Sequence, residues 1–224
     1  MQQLSIVYGG VTKNARKGGD LATLPYLRVA NVYADELRLD EIKQIGVKKQ
    51  RVYKYLLKEG DLLVVEGNGS KSQIGRVAQW DGSIEPCVHQ NHLIKVRPCI
   101  REVGDYLLHW MLSLNGRRHI TNVASSTSGL YTLSLTKVRS IPVPLPSLEE
   151  QRQIVNQVER LLSVADEATQ TVEREIKRAE RLRQSILKQA FSGQLVRQND
   201  STDSMDEPAP VTTSTAGQQI EIAL

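Results

Sequence analysis

Apolar residues recur at steps of three and four from Ile154 to Ala190, and no Pro or Gly interrupts the chain between Pro146 and Gly193. The series is Ile154, Val158, Leu161, Ala165, Ala168, Val172, Ile176, Ala179, Leu182, Ile186 and Ala190, a heptad-like seam. Ser147 stands three residues before Glu150, which fits a capping box, and Pro146 keeps the helix from starting sooner. The spacing predicts one helix from Ser147 to Ser192, about 65 Å long at about 1.5 Å per residue. Such a helix cannot bury its stripe against itself, so a partner helix is expected. Glu173 with Lys177 and Glu180 with Arg183 place opposite charges on its outer, solvated face.

Upstream the pattern changes to short strands and turns. Leu4–Gly10, Pro25–Tyr33, Asp61–Gly67, Gly75–Trp80 and His92–Pro98 are rich in β-branched and aliphatic residues and bounded by Gly, Asp or Pro. One helix is expected from Asp105 to Asn115, with Gly116 as its stop. A polar stretch then returns the chain to the long helix through a proline-spaced strand, Ile141–Pro146. The fold class is therefore α+β: a mostly β head over residues 1–146, then one long coiled-coil-type helix over 147–196. Residues 197–224 are acidic and without periodicity, and read as a disordered tail.

Composition narrows the partners. Of 224 residues 40% are hydrophobic, but with one Phe and two Trp the core is mainly aliphatic. Two cysteines form no disulfide framework, which favours a cytoplasmic protein, and no apolar run is long enough for a bilayer. Residues 1–146 hold 20 Lys+Arg against 12 Asp+Glu, a net +8. Residues 147–197 are close to neutral, and residues 198–224 carry −5. A basic head on a neutral helix points to a polyanion such as double-stranded DNA.

Catalytic chemistry is hard to find. The segment Glu66–Arg76, EGNGSKSQIGR, fails as a P-loop because Ser70 separates Gly69 from Lys71, leaving either a plain turn or a loop that approaches nucleic acid. Cys87, His89, His92 and Cys99 match no common zinc spacing, so no metal site is expected. The Gly-x-Ser-x-Gly elbow and the Asp/Asn-Pro-Pro-aromatic tetrapeptide of adenine methyltransferases are both absent. What remains is a set of groups suited to base edges and phosphates: Lys13, Arg16, Lys17, Arg28, Asn31, Asn68, Lys71, Arg76, Gln90, Asn91 and His92.

Several ordered motifs together resemble the specificity subunit of type I restriction–modification systems. They are YGG at Tyr8, LPYLRVANV at Leu24–Val32, LLKEGDLLVVEGNG at Leu56–Gly69, IGRVA at Ile74–Ala78 and QNHLIKVRP at Gln90–Pro98. SSTSGLYTLSLTKVRSIPVPLPSLEEQRQIV at Ser125–Val155 and ILKQAFSGQLV at Ile186–Val196 complete the series. The resemblance implies a non-catalytic, DNA-reading component with a target recognition domain and a long helix. Family members carry two such pairs, each reading half of a split target, whereas this chain carries one. It would then be a half-subunit that dimerises through the seam at Ile154, Val158, Leu161, Ala165, Val172, Ile176, Leu182 and Ile186, or a fragment that pairs with another half. The resemblance also implies modification subunits using S-adenosylmethionine and restriction subunits using ATP and Mg²⁺, with no cofactor in this chain. A rival reading is a coiled-coil scaffold whose basic head binds protein.

Overall fold

The computed structural model describes residues 1–12, 20–127 and 129–195. The strands are β1 (Ser5–Gly9), β2 (Leu21–Leu27), β3 (Lys43–Lys48), β4 (Leu62–Val65), β5 (Gly67–Asn68), β6 (Val77–Gln79), β7 (Val88–His89), β8 (Leu93–Pro98), β9 (Ser125–Thr127) and β10 (Leu130–Thr132). The helices are α1 (Val52–Tyr55), α2 (Arg101–Leu112), α3 (Leu114–Val123), α4 (Leu135–Ser140) and α5 (Leu148–Phe191). The mixed α+β class matches the expectation.

An antiparallel sheet in the order β1-β8-β4-β6 forms the centre. Its strand β4 reads Leu-Leu-Val-Val without alternation because both faces are covered. Leu62 and Val64 join Val7, Val77, Ile94 and Val96 under α2 and α3, against Leu107, Met111 and Ile120. Leu63 and Val65 face a second cluster with Leu27, Val32, Leu57, Trp80 and Leu93. A second sheet, β3-β2-β7, pairs β2 antiparallel to β3 and parallel to β7. A small third sheet, β5-β10-β9, extends the chain leaving β4.

Three expected elements differ. Instead of one helix ending at Gly116 there are two, because Ser113 breaks the first and caps the second by accepting the Gly116 N–H. Gly116 lies inside α3, where a Cβ would meet the Trp110 carbonyl oxygen at 2.0 Å. Pro25–Tyr33 is strand only to Leu27, then turns through a 3-10 segment at Val29–Asn31. Ile141–Pro146 is not a strand but an unpaired run, with prolines at every second position removing the donors a ladder needs.

The chain divides into two compact units, 1–166 and 167–224. The first includes the opening turns of α5, which start as the capping analysis expects: the Glu150 N–H donates to Ser147 Oγ at 3.2 Å. Gln151 and Val155 are buried, and Gln151 Nε2 donates to the Pro146 carbonyl at 2.9 Å. Tyr106 Oη on α2 donates to the Pro144 carbonyl, and Arg152 lies 3.9 Å from Glu102. In the second unit the helical residues from Glu167 to Phe191 are all exposed. Their ion pair joins Glu175 to Arg178 at 3.8 Å rather than either expected pair. The expected tail falls outside the described residues.

Candidate nucleic-acid interface

Glu66 is the hub of the candidate site. Its N–H donates to the His92 carbonyl at 3.0 Å, its carbonyl accepts the Leu133 N–H at 2.7 Å, and its carboxylate lies 3.4 Å from His92 Nδ1. Those contacts bring the end of β4, the turn between β7 and β8, and the exit of β10 to one junction. Asn68, Lys71 and Arg76 lie on the Gly67–Arg76 loop that follows Glu66, and Gln90, Asn91 and His92 on the turn. All six are at least partly exposed.

The loop is not loose. Asn68 Oδ1 accepts the Ser70 N–H at 2.8 Å, and the Ser70 carbonyl accepts N–H groups from Gln73 and Ile74. Gly75 closes it at φ +65, a left-handed conformation that favours glycine, and a Cβ there would meet Ile120 at 2.4 Å. Arg117 on α3 then splints the turn, donating to the carbonyls of Ser72, Gly75 and Ile74 at 2.9, 2.8 and 2.7 Å.

The second turn is equally fixed. The Gln90 N–H donates to the Leu27 carbonyl, and the Asn91 N–H to that of Val11. Gly10 presses against this backbone so closely that a Cβ would lie 2.2 Å from the Gln90 carbonyl oxygen. The YGG motif is thus a packing device beneath the turn.

Other expected contacts fall elsewhere. Asn31 is a correction: it is buried, its Oδ1 accepts the Arg28 N–H, and its Nδ2 donates to the carbonyls of Arg38 and Glu41. With its amide engaged on both sides it organises a loop and is not available to a ligand. Arg28 is largely committed as well, donating to the Glu41 carbonyl at 2.9 Å and lying 3.3 Å from its carboxylate. Lys13, Arg16 and Lys17 fall outside the described residues.

Part of the head's positive charge is internal. Lys95 is buried and donates to the carbonyls of Lys54 and Leu56, with its ammonium 4.9 Å from the Tyr8 ring centroid. Burial, aided by the Arg97 charge, pushes it down to about 8. Arg97 is paired with Asp61, whose hydrogen bond raises its already high pKa. Lys95 is not a surface cation and the half-buried Arg117 is engaged by three carbonyls, so the net +8 overstates what a polyanion meets. No group of His, Cys, Asp or Glu among the described residues is arranged to hold a metal ion. Cys87 is buried, its thiol pushed up to about 11 by burial, while Cys99 is exposed.

The sequence reading missed Glu66, Arg117 and Tyr33, whose ring lies beside Arg76. Glu66 could have been suspected as a lone acid in a basic, glycine-rich loop. Arg117 gives no local signal, being 42 residues from the Gly75 carbonyl it holds.

The seam of α5 is open over most of its length. Leu161, Val172, Ile176 and Leu182 are 53 to 60% exposed and Ile186 is 45% exposed, whereas Ile154 is at 37% and Val158 is half-buried. Ala165 is exposed too. Among the described residues no helix is long and apolar enough to cross a membrane.

Comparison with known proteins gives the site its context. The type I restriction modification DNA specificity domain matches residues 11–178. The chain is 31% identical over 179 residues to the type I restriction enzyme EcoKI specificity subunit of Escherichia coli, covering 78% of this chain and 38% of that one. It is 30% identical over 192 residues to the StySPI specificity subunit of Salmonella potsdam, covering 84% and 41%. The chain thus spans about two fifths of the length of these curated relatives. One solved structure, described as the structural basis underlying complex assembly and conformational transition of the type I R-M system, matches with a TM-score of 0.55 at 21% identity. That match covers 86% of this chain and 45% of the other, and it carries the fold alone. Most of the chain lies inside the matched segment, and on that ground it belongs to the type I restriction–modification DNA specificity family.

Proposed function

We propose that the head reads one half of a bipartite DNA target, and that α5 pairs with the helix of a second such unit while docking modification subunits. The observation that carries this reading is the junction around Glu66, where two backbone-fixed turns meet that bear Asn68, Lys71, Arg76, Gln90, Asn91 and His92, all at least partly exposed. Amide and guanidinium groups of this kind pair with base edges or phosphates, and rigid presentation lowers the cost of ordering them. The exposed seam from Leu161 to Ile186 supports pairing, since apolar positions at heptad spacing gain stability by packing on a like helix. The chain acts by binding, inside the cell where its target is. Methyl transfer from S-adenosylmethionine and ATP- and Mg²⁺-dependent cleavage belong to modification and restriction partners.

Binding of the full chain to a randomised 30-bp duplex pool, followed by sequencing of the retained fraction, tests the reading. A recurrent motif with affinity falling steeply between 50 and 200 mM salt, by about a thousandfold if six phosphates are neutralised, supports DNA recognition. Salt-independent capture with no enriched sequence would favour a protein-binding scaffold.

A further inference from the structure

Arg76 differs from its neighbours. Arg97, Arg117 and Arg28 are each held by carboxylates or carbonyls, but among the described residues no hydrogen bond or ion pair holds Arg76. Its Nε is buried without a partner, and its guanidinium carbon lies 5.0 Å from the centroid of the Tyr33 ring. Its backbone is fixed nonetheless: the Arg76 carbonyl accepts the Val65 N–H at 2.9 Å, and Gly75 before it is splinted by Arg117.

Tyr33 is fixed from the opposite direction. It begins a tight reversal in which its N–H donates to the Glu36 carbonyl, Val32 bridges Leu37, and Asp35 takes φ +59. The Asp35 N–H donates to the carbonyl of Val77, the residue after Arg76, so the reversal is tied to the strand that carries the arginine. Asn31 holds the base of the same loop through its buried amide. Arg38 also lies on the Tyr33 ring, at 3.9 Å, but its charge is balanced by Glu36 at 2.8 Å. Arg76 has no such counter-charge.

We propose that Tyr33 is a positioning residue whose ring holds the Arg76 guanidinium ready for a paired acceptor on duplex DNA. The acceptor is either two oxygens of one phosphate or the O6 and N7 of a guanine, both of which match the flat fork of an arginine. The inference rests on the DNA-reading function. Attraction to the ring restricts where the fork lies before binding, and the fixed backbone on either side sets the point from which it reaches. A lysine would lack both the plane and the paired donors.

Fluorescence anisotropy of the full chain, on a duplex recovered from the randomised pool and on an unrelated 30-bp duplex, tests the proposal. Arg76→Ala should weaken binding to the recovered duplex by about tenfold or more. Tyr33→Leu should weaken it by about threefold, and Tyr33→Phe, which keeps the ring, should stay within about twofold of the parent. In the Arg76→Ala background Tyr33→Leu should cause no further loss, because Tyr33 acts only through the arginine. Arg76→Lys changes a partly exposed side chain and leaves the fold alone; it should bind like Arg76→Ala. Thermal melts of each variant accompany these measurements, and the lysine variant decides the matter if Tyr33→Leu melts early. A loss shared by both duplexes, with a salt slope smaller by about one, places the acceptor on a phosphate, whereas a loss confined to the recovered duplex places it on a base. Additive losses in the double variant, or parental binding by Arg76→Lys, would overturn the proposal. Failure of the parent itself to bind either duplex would instead overturn the DNA-reading function, and the proposal with it.

Discussion

Arg97 meets Asp61 through two 2.6 Å bonds, Nε to Oδ1 and Nη2 to Oδ2, while Asp61 Oδ2 also accepts the Lys58 N–H at 2.8 Å. The carboxylate is almost fully buried at the entrance to β4, so its removal leaves the Lys58 N–H unmet and the Arg97 guanidinium with the Leu56 carbonyl but no counter-charge. Asp61→Ala should therefore destabilise the head by about 3 kcal/mol, measured by urea unfolding. The double change Asp61→Leu with Arg97→Met should cost less than the two single changes summed, since no charge is left stranded. Equal or greater cost would mean that packing, rather than the ion pair, dominates there.

Arg117 supplies the three donors that hold the Ser72–Gly75 turn. Arg117→Met keeps the apolar stem but leaves the carbonyls of Ser72, Ile74 and Gly75 unmet. The expected loss is about 1 to 3 kcal/mol, together with faster amide hydrogen exchange at Gln73 and Ile74. Unchanged exchange would show that Asn68 and the Ser70 carbonyl suffice to fix the loop.

His89 sets a pH dependence. It is buried, Nδ1 faces the Tyr55 carbonyl at 3.1 Å, and Nε2 has no partner. Burial, reinforced by the Lys95 charge, pushes the imidazole down to about 3 from an ordinary value of 6.5. The unfolded chain takes up this proton first. The stability contributed by neutral His89 is thus complete above pH 6.5 and is lost as the pH falls from 6.5 towards 3. Urea unfolding at pH 7.5 and 4.5 should show a larger loss for the parent than for His89→Gln. Parallel losses would mean that the pocket accepts the charge.

On α5, Ile154→Asp, Leu161→Asp and Leu182→Asp combined should abolish helix pairing while the head retains its thermal transition. Sedimentation velocity reads the first effect and calorimetry the second. An assembly that survives all three changes would place the pairing surface on another face.

The long helix was legible because period, capping and the absence of Pro and Gly all agree, and its observed span, Leu148–Phe191, differs from the expected one by a residue at each end. The strands of the central sheet were legible for a similar reason, being dense in aliphatic residues. By contrast β5, β7, β9 and β10 are two or three residues long; β5 and β7 are held by pairing with distant segments, and the short β9–β10 hairpin is joined to β5, rather than any of them by its own pattern. Asn31 looked like a surface reader because sequence cannot distinguish an amide aimed at solvent from one bonded to its own loop. Asn68, Lys71, Arg76 and Gln90–His92 stand out in the sequence only as polar residues, and the meeting of their two turns depends on Glu66, through a contact between residues 26 apart in sequence at His92.

The splint from Arg117 has a bearing on how reading heads can be exchanged between relatives. A Gly67–Arg76 segment transplanted alone would arrive without the cation that its carbonyls were shaped around, and would settle into some other conformation. Moving the segment together with α3 and the β10 strand that pairs with Gly67 and Asn68 would carry its supports with it.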